Sequence, residues 1–309
     1  RMKPIYLDHA ATTPLHPDVI KQMHSIMKTV FGNPSSIHAY GRKARQVMDE
    51  ARRVIAQSIH AKEKDIYFTS GGTEADNLAL IGTALANKEK GNHIITTEQE
   101  HHAVLHAAEY LEQKGFNITY LPVDENGRVT VENVKQSLTD ETILVSVMYV
   151  NNETGMIQPI KEIAELLKDH QAYFHTDAVQ AYGLIDIHVE DMHIDLLTTS
   201  AHKINGPKGI GFLYANETVQ MSPLAFGGEQ ERKRRPGTEN IVNVAGFQTA
   251  VELMLESKDK NRDKYEDFRT IFLETLKVQG VSFSINGELR RSVPNIVNLS
   301  FPGIHVESF

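Results

Sequence analysis

A single lysine follows an apolar run in the segment LLTTSAHKINGPKGIGFL, residues 196–213. Leucines open the segment, Ser200 and His202 precede Lys203, and glycines follow it. The apolar run predicts a buried strand. Burial lowers the pKa of a lysine, so that its neutral amine can act as a nucleophile. The pattern therefore predicts that Lys203 is a reactive amine and not a solvated surface cation.

The segment TSGGTEADN, residues 69–77, could hold a phosphate group. It lies between a predicted strand and a predicted helix, and Gly71 and Gly72 allow close approach of the backbone. Thr73 is expected to be the N-cap, with Asp76 at the third helical position. The free N–H groups and the dipole of such a helix end attract anions. Acidic residues in the first turn would also satisfy the dipole, so a capped helix after a tight turn is the alternative.

Polar residues also follow two other predicted strands. VNNETG (150–155) contains Asn152, and HTDAVQ (175–180) contains Asp177 and Gln180. Ligands of open parallel sheets bind at the carboxyl ends of the strands, so these side chains are expected to converge. Asp177 follows an apolar strand and is expected to be partly buried, where it needs a cationic partner. A loop or helix-cap aspartate is the alternative.

In combination, these features fit pyridoxal phosphate. A lysine amine binds the aldehyde of that cofactor as a Schiff base. An aspartate keeps the pyridine nitrogen protonated, which makes the ring an electron sink for a carbanion at Cα. In this interpretation Lys203 holds the cofactor, Ser200 and His202 serve its phosphate, and the glycines admit it.

Two other classes of site receive less support. His102 and His106 are four residues apart and could form a metal pair on a helix, but a third ligand at a diagnostic spacing is missing, so no metal is predicted. The basic run in ERKRRPGTEN (231–240) is expected to be a solvated loop. With 32 basic and 40 acidic residues, the net charge of −8 argues against a nucleic-acid or anionic-membrane surface.

The composition is that of a globular protein without thiol chemistry. The 309 residues include no cysteine, which excludes a disulfide, a thiolate zinc site and a thiol nucleophile within them. No apolar run approaches the length of a membrane span, and the N-terminus lacks the charged-then-apolar pattern of a signal peptide. These features predict a cytoplasmic protein.

Strand-like and helix-like segments alternate along most of the chain, which predicts an α/β fold with a mostly parallel sheet. The predicted strands are 65–70, 93–97, 117–123, 142–150, 172–179, 194–200 and 209–215, and the predicted helices between them are 74–89, 102–114, 131–138 and 159–170.

The alternation of strand-like and helix-like segments ends near the C-terminus. There, a long predicted helix over 241–279 and two predicted strands, 281–285 and 296–301, indicate the start of a second, α+β domain. We therefore assign residues 15–250 to a large cofactor-binding domain and residues 1–14 and 251–309 to a small domain. Two strands are too few to close a core, so the chain is expected to continue beyond its last residue.

In their order along the chain, these motifs resemble the NifS/IscS-type cysteine desulfurases, which are pyridoxal-phosphate enzymes of the class-V aminotransferase family and of fold type I. The resemblance implies a large domain with a mostly parallel mixed sheet and a smaller α+β domain. It rests on YLDHAATTPLHPDV (6–19), FGNPSSIHAYGRKAR (31–45), SGGTEADNLA (70–79), EHHAVL (100–105), VNNETG, HTDAVQA, SAHKINGPKGIGFLY and RRPGTENI (234–241).

The resemblance implies roles around the cofactor ring. Lys203 matches the Schiff-base lysine, which also moves protons at Cα. His101 matches a histidine that stacks on the pyridine ring, with a proposed acid/base role, and His102 is the second choice for that role. Asp177 matches the partner of the ring nitrogen, and Gln180 matches the partner of the phenolic oxygen.

The resemblance also implies roles away from the ring. Asn152 is expected near the ring and the substrate, and Asn33 near the mouth of the active site. Thr238 matches a residue that reaches the phosphate of the other subunit, which implies a homodimer. The residues that match the phosphate site are Gly72, Thr73, Ser200 and His202.

The reaction implied by the resemblance converts L-cysteine to L-alanine. In the family, a cysteine on a mobile loop takes the sulfur as a persulfide and passes it on for iron–sulfur cluster assembly or tRNA thiolation. That cysteine, and an arginine for the substrate carboxylate, are expected beyond Phe309; a true loss of the cysteine is the alternative. The absence of cysteine leaves two other hypotheses open, a related pyridoxal-phosphate aminotransferase or β-eliminating lyase, and a non-catalytic subunit.

Overall fold

The computed structural model describes residues 4–305, and its centre is one seven-stranded sheet. The strands of the sheet are β1 (Ile66–Thr69), β2 (His93–Thr97), β3 (Asn117–Leu121), β4 (Thr142–Ser146), β5 (Tyr173–Asp177), β6 (Leu196–Ser200) and β7 (Gly211–Ala215). Their spatial order is β1-β7-β6-β5-β4-β2-β3. β7 is antiparallel to both of its neighbours, and the other pairs are parallel. The predicted α/β fold with a mostly parallel mixed sheet is therefore confirmed.

Helices cover both faces of the sheet. They are α1 (Pro17–Thr29), α2 (Ala39–Ser58), α3 (Gly72–Asn77), α4 (Thr83–Ala86), α5 (His102–Gln113), α6 (Val131–Ser137), α7 (Ile160–Leu167) and α8 (Ile241–Val278). A π-helical turn, Leu78–Gly82, joins α3 to α4, so that the helical backbone is continuous. Within residues 4–305, no helix is both long enough and apolar enough to cross a membrane.

Alternate residues of each strand contribute to two hydrophobic cores, one on each face. On β7, Phe212 and Tyr214 pack with Met48 of α2 and Phe247 of α8. Leu213 packs on the opposite face with residues of α3 and α5. Because both faces are covered, β4, β6 and β7 are buried along their whole length.

The helix after β1 begins earlier than predicted. Gly71, and not Thr73, is the N-cap, and its φ of 149° lies in a region that favours glycine. Thr73 therefore lies inside the first turn, and the prediction that it caps the helix is wrong. Glu74 is the third helical residue and accepts a hydrogen bond from the Ser70 N–H at 2.8 Å, which is the position that was predicted for Asp76.

The predicted C-terminal elements are present. After α8, β8 (Ser284–Ile285) and β9 (Leu299–Ser300) pair in antiparallel orientation. α8 is one continuous helix that packs against α1 and α2, and the predicted domain boundary at residue 250 falls inside it. The division into two domains stays a prediction, and residues 1–3 and 306–309 of the predicted small domain lie outside the described residues.

A buried ion pair fixes the segment after β7 to β1. Arg52 donates to both carboxylate oxygens of Glu231, at 2.9 and 2.6 Å, and both side chains are less than 10% exposed. Glu231 also accepts the Phe68 N–H at 2.8 Å. The segment needs this anchor because Glu231, Arg232 and Lys233 all have left-handed backbone conformations, with φ of 42°, 54° and 67°.

We predict that Glu231→Ala lowers the free energy of unfolding by about 3–5 kcal/mol, because it leaves the Arg52 charge buried and unpaired. The measurement is equilibrium unfolding in urea. Glu229→Ala is the matched control, since Glu229 pairs with Lys233 on the surface and exposed pairs contribute little. Equal effects of the two substitutions would contradict the prediction.

Candidate active site

Lys203 lies where the sequence predicts a reactive lysine. It ends a 3₁₀ turn, Ala201–Lys203, that follows β6 directly. Its Nζ donates hydrogen bonds to the carbonyl oxygens of Ala10 and Ala11, the latter at 2.8 Å. Burial lowers the pKa of Lys203, and the Asp177 and Asp8 carboxylates oppose that effect. A half-buried amine with a lowered pKa is available as a nucleophile or a base.

Two of the predicted polar residues converge beside this lysine. Gln180 donates from Nε2 to the carbonyl oxygen of Ala10 at 2.9 Å, which also accepts from Lys203. Asp177 is the last residue of β5 and is 6% exposed. Its Oδ1 accepts the Val179 N–H at 2.9 Å. Asp177 and Gln180 therefore lie near Lys203, and the expected convergence of Asn152 with them stays a prediction.

Asp177 is a buried carboxyl group whose environment would favour a bound cation. Burial raises its pKa, and the nearby His101 and Lys203 charges oppose this. Within residues 4–305, no basic side chain forms an ion pair with Asp177. A buried carboxylate without such a pair is costly unless a cationic group binds it. The protonated ring nitrogen of pyridoxal phosphate has the required charge, so this residue fits the cofactor.

Glycines lie at and opposite the start of α3. A Cβ on Gly72 would lie 3.1 Å from Val179 Cγ2 and 3.7 Å from Ser200 Cβ, whereas a Cβ on Gly71 would meet nothing within 4 Å. Gly211 of β7 approaches so closely that its Cβ would lie 2.9 Å from Gly71 Cα. The first N–H groups of a helix have no intrahelical acceptor. The open space before α3, beside the buried Ser200, therefore suits a phosphate.

His202 connects the lysine turn to the N-terminal segment. Its Nδ1 lies 3.0 Å from Thr12 Oγ1, and its carbonyl oxygen accepts the Thr13 hydroxyl at 2.6 Å. Burial lowers the pKa of His202 to about 4, so the ring is neutral at physiological pH. Thr13 Oγ1 also accepts the Asn205 N–H at 2.8 Å.

His101 is the N-cap of α5. Its Nδ1 accepts the Ala103 N–H at 3.1 Å, so in the neutral ring the proton is on Nε2. The second candidate, His102, has its ring centre 6.3 Å from that of His101 and stacks with His106 at 5.1 Å. In the part of the chain that the structure describes, no group of three or more acidic or histidine residues could hold a metal ion.

Asn152 and Asn33, two of the predicted site residues, lie in loops. Asn152 is half-buried in a turn that is held by Asn151, whose Oδ1 accepts the Glu153 and Thr154 N–H groups, each at 2.9 Å. Asn33 is exposed and accepts the Ser35 N–H at 2.9 Å. No hydrogen bond or ion pair between residues 4 and 305 joins Asn33 to Lys203, Asp177 or Gln180.

Thr238 is exposed in the loop between β7 and α8. An ion pair ties this loop to the start of α3, because Arg235 Nε lies 2.7 Å from Glu74 Oε1. Within residues 4–305, no hydrogen bond joins Thr238 to Lys203, Asp177 or Gln180.

Sequence reasoning missed several groups at this site. The carbonyl groups of Ala10 and Ala11 carry no side-chain signal, although they lie in the quoted motif YLDHAATTPLHPDV. Asn151, next to the predicted Asn152, shapes the turn. Glu100 is 5% exposed; it accepts the Thr97 hydroxyl and the Met148 N–H, both at 2.9 Å, and burial raises its pKa to about 8.

The fold and this site are those of a class of protein, the α/β enzymes that depend on pyridoxal phosphate. Residues 5–309 match the family described as aminotransferase class-V. The chain is 59% identical over 307 residues to "Putative cysteine desulfurase IscS 1" of Bacillus subtilis, an alignment that covers 99% of this chain and 81% of the relative. The chain belongs to the class-V aminotransferase family and, within it, to the cysteine desulfurases of the IscS and NifS type.

Solved structures agree with this placement. A "NifS-like protein" superposes with a TM-score of 0.95 at 36% identity, covering 98% of this chain and 83% of that one. A structure titled "SspA in complex with cysteine" has a TM-score of 0.87 at 35% identity, covering 96% of this chain and 84% of that one.

We predict that Thr13→Val costs about 1–3 kcal/mol of stability and weakens binding of pyridoxal phosphate. It removes a hydroxyl that bonds on both sides of Lys203, to the His202 carbonyl and the Asn205 N–H, and leaves the part-buried Asn205 N–H without its acceptor. Urea unfolding and a cofactor titration followed by fluorescence measure the two effects. Thr29→Val, at an exposed hydroxyl in α1, is the control; the interpretation is wrong if both variants bind the cofactor like the parent.

Proposed function

We propose that this chain forms the cofactor-binding body of a pyridoxal-phosphate-dependent cysteine desulfurase, which converts L-cysteine to L-alanine and passes the sulfur to an acceptor. The observation that carries the proposal is the lysine group: a half-buried amine with a lowered pKa, held beside a buried carboxylate that lacks a cation. The relatives at high identity are named cysteine desulfurases.

The residues at the site would hold the cofactor at both ends. Lys203 would bind its aldehyde, Asp177 its ring nitrogen and Gln180 its phenolic oxygen. Its phosphate would lie at the start of α3, against Gly72, Thr73, Ser200 and His202. The bound cofactor supplies an electron sink for the electron pair at the substrate Cα.

The chain's own residues would then hold and move protons. Lys203 Nζ, as a neutral amine, accepts a proton, because burial disfavours its charged form. Asp177 keeps a proton on the ring nitrogen through its negative charge. His101 carries its proton on Nε2, because Nδ1 accepts the Ala103 N–H, and Nε2 is therefore the atom that would donate in an acid/base role. Asn152 would face the ring and the substrate.

We further propose a homodimer, in which Thr238 of one subunit reaches the phosphate of the other and Asn33 lies near the mouth of the site. Exposed apolar side chains support it: Phe226 lies in the same loop as Thr238 and is 89% exposed, and Leu7 in the N-terminal segment is 83% exposed. The sulfur acceptor would be a cluster-scaffold protein or a tRNA-thiolating enzyme, and a cytoplasmic location is proposed with it.

The sulfur-accepting thiol is not among the 309 residues, which contain no cysteine. This count favours a second candidate function, that of a related pyridoxal-phosphate aminotransferase or lyase, which needs no thiol. A non-catalytic subunit is the third. The three differ in what they do to L-cysteine.

We predict that L-cysteine changes the absorbance of the cofactor-loaded chain, that no keto acid is formed, and that no sulfur is added to the mass of the chain. Absorbance, a keto-acid assay and intact mass measure these outcomes, with Lys203→Ala as the control that should not respond. Keto acid would instead indicate an aminotransferase or lyase. Sulfide release together with a protein persulfide would refute the claim that these 309 residues lack the group that accepts the sulfur. No response at all would indicate a non-catalytic subunit.

A further inference from the structure

A second buried carboxyl group lies next to Asp177. Burial and the carboxyl of Asp177 raise the pKa of Asp76, on α3, and the Thr198 hydroxyl opposes this rise; Thr198 is paired with Asp177 between β5 and β6. Asp76 is 1% exposed. Its Oδ1 is buried and has no hydrogen-bond partner among the described residues. An ionised carboxylate oxygen that is buried without a hydrogen-bond partner is unfavourable. The structure must therefore either neutralise Asp76 or supply it with a partner.

The nearest basic side chain does not provide a charge for Asp76. His175 Nε2 lies 3.6 Å from Asp76 Oδ1, and the ring is held by the hydroxyls of Ser146 at 2.8 Å and Thr198 at 3.0 Å. Burial lowers the pKa of His175 to about 3, so the ring is neutral. The buried carboxyl of Glu100 raises the pKa of Asp76, as the carboxyl of Asp177 does.

Two adjacent buried carboxylates cannot both be ionised at low cost, so the pair retains one proton. The negative charge is better stabilised on Asp177, which accepts the Val179 N–H and whose pKa is lowered by the neighbouring His101 and Lys203 side chains. Asp76 faces the neutral His175 and the Thr198 hydroxyl instead. The proton therefore belongs on Asp76.

We propose that Asp76 is a positioning residue that stays protonated near neutral pH and donates a hydrogen bond to Asp177, so that the pair holds one negative charge, on the oxygen atoms that face the cofactor's ring nitrogen. The part of this inference that concerns the ring nitrogen rests on the proposed function. The part that concerns the proton on Asp76 does not.

The cofactor-free protein tests the proton directly. A carboxyl whose pKa is raised by folding stabilises the folded state fully below about pH 4, and this contribution is lost as the pH rises toward the folded pKa. Asp76→Asn keeps a hydrogen-bond donor and cannot titrate. Between pH 5 and 7, we expect the unfolding equilibrium constant of the parent chain, relative to this variant, to rise about tenfold per pH unit. Parallel pH profiles would overturn the proposal.

Cofactor binding separates a positioning role from a merely structural one. We expect Asp76→Ala to bind pyridoxal phosphate about tenfold more weakly, and Asp76→Asn to restore most of that loss because its amide donates to Asp177. The control is Asp195→Asn, at a half-buried aspartate at the opposite end of β6 that accepts hydrogen bonds from the Phe174 N–H and the Asn216 amide; the cofactor affinity of this variant should be unchanged. Equal weakening in both Asp76 variants would overturn the proposal.

Failure of the proposed function is recognisable in the same experiments. If the parent chain itself does not bind pyridoxal phosphate, the proposed function fails, while the unfolding profiles still decide the proton on Asp76. If no Asp76 variant folds, the carboxyl ¹³C resonances of the parent chain, labelled on aspartate, decide it. One aspartate should be protonated at pH 7, and a fully ionised set would refute the inference.

Discussion

The burial of charge at the carboxyl ends of β5 and β6 is the constraint on which the site depends. Asp177 and Lys203 lie close enough for each to alter the pKa of the other, yet each is held by backbone groups: Asp177 by the Val179 N–H, and Lys203 by the carbonyls of Ala10 and Ala11. These backbone groups hold both side chains in place without neutralising the Asp177 carboxylate. A cofactor with a cationic nitrogen and an aldehyde fits between two such groups.

The surrounding elements can be understood as supports for this arrangement. The N-terminal segment docks on the lysine turn through Thr12 and Thr13. Glycines let β7 and the start of α3 approach each other closely. The buried Arg52–Glu231 pair fixes a strained segment, and Arg235 ties the loop that follows to α3.

Periodicity and motif spacing predicted the order of strands and helices because each element depends mainly on local pattern. The proximity of Asp177 and Gln180 to Lys203 could be predicted for a related reason, since parallel strands bring their carboxyl ends to one edge. The cap at Gly71 was not predicted, because Thr73 is a favoured cap residue by type and the glycine's φ is visible only in three dimensions.

Other features depend on contacts between distant parts of the chain. Lys203 and the Ala10 carbonyl are 193 positions apart, and a carbonyl group is present in every residue, so no sequence signal marks this one. The predicted interior position of Asp177 is confirmed, but the acids beside it, Asp76 and Glu100, look like ordinary residues at the start of helices. Only their burial identifies them.

The intact mass of the protein, loaded with pyridoxal phosphate and treated with borohydride, tests the central claim most directly. The account predicts a covalent cofactor adduct on the parent chain and on Lys208→Ala, whose lysine is exposed on the neighbouring loop, and no adduct on Lys203→Ala. An adduct that persists in Lys203→Ala, or a parent chain that forms none, would contradict it.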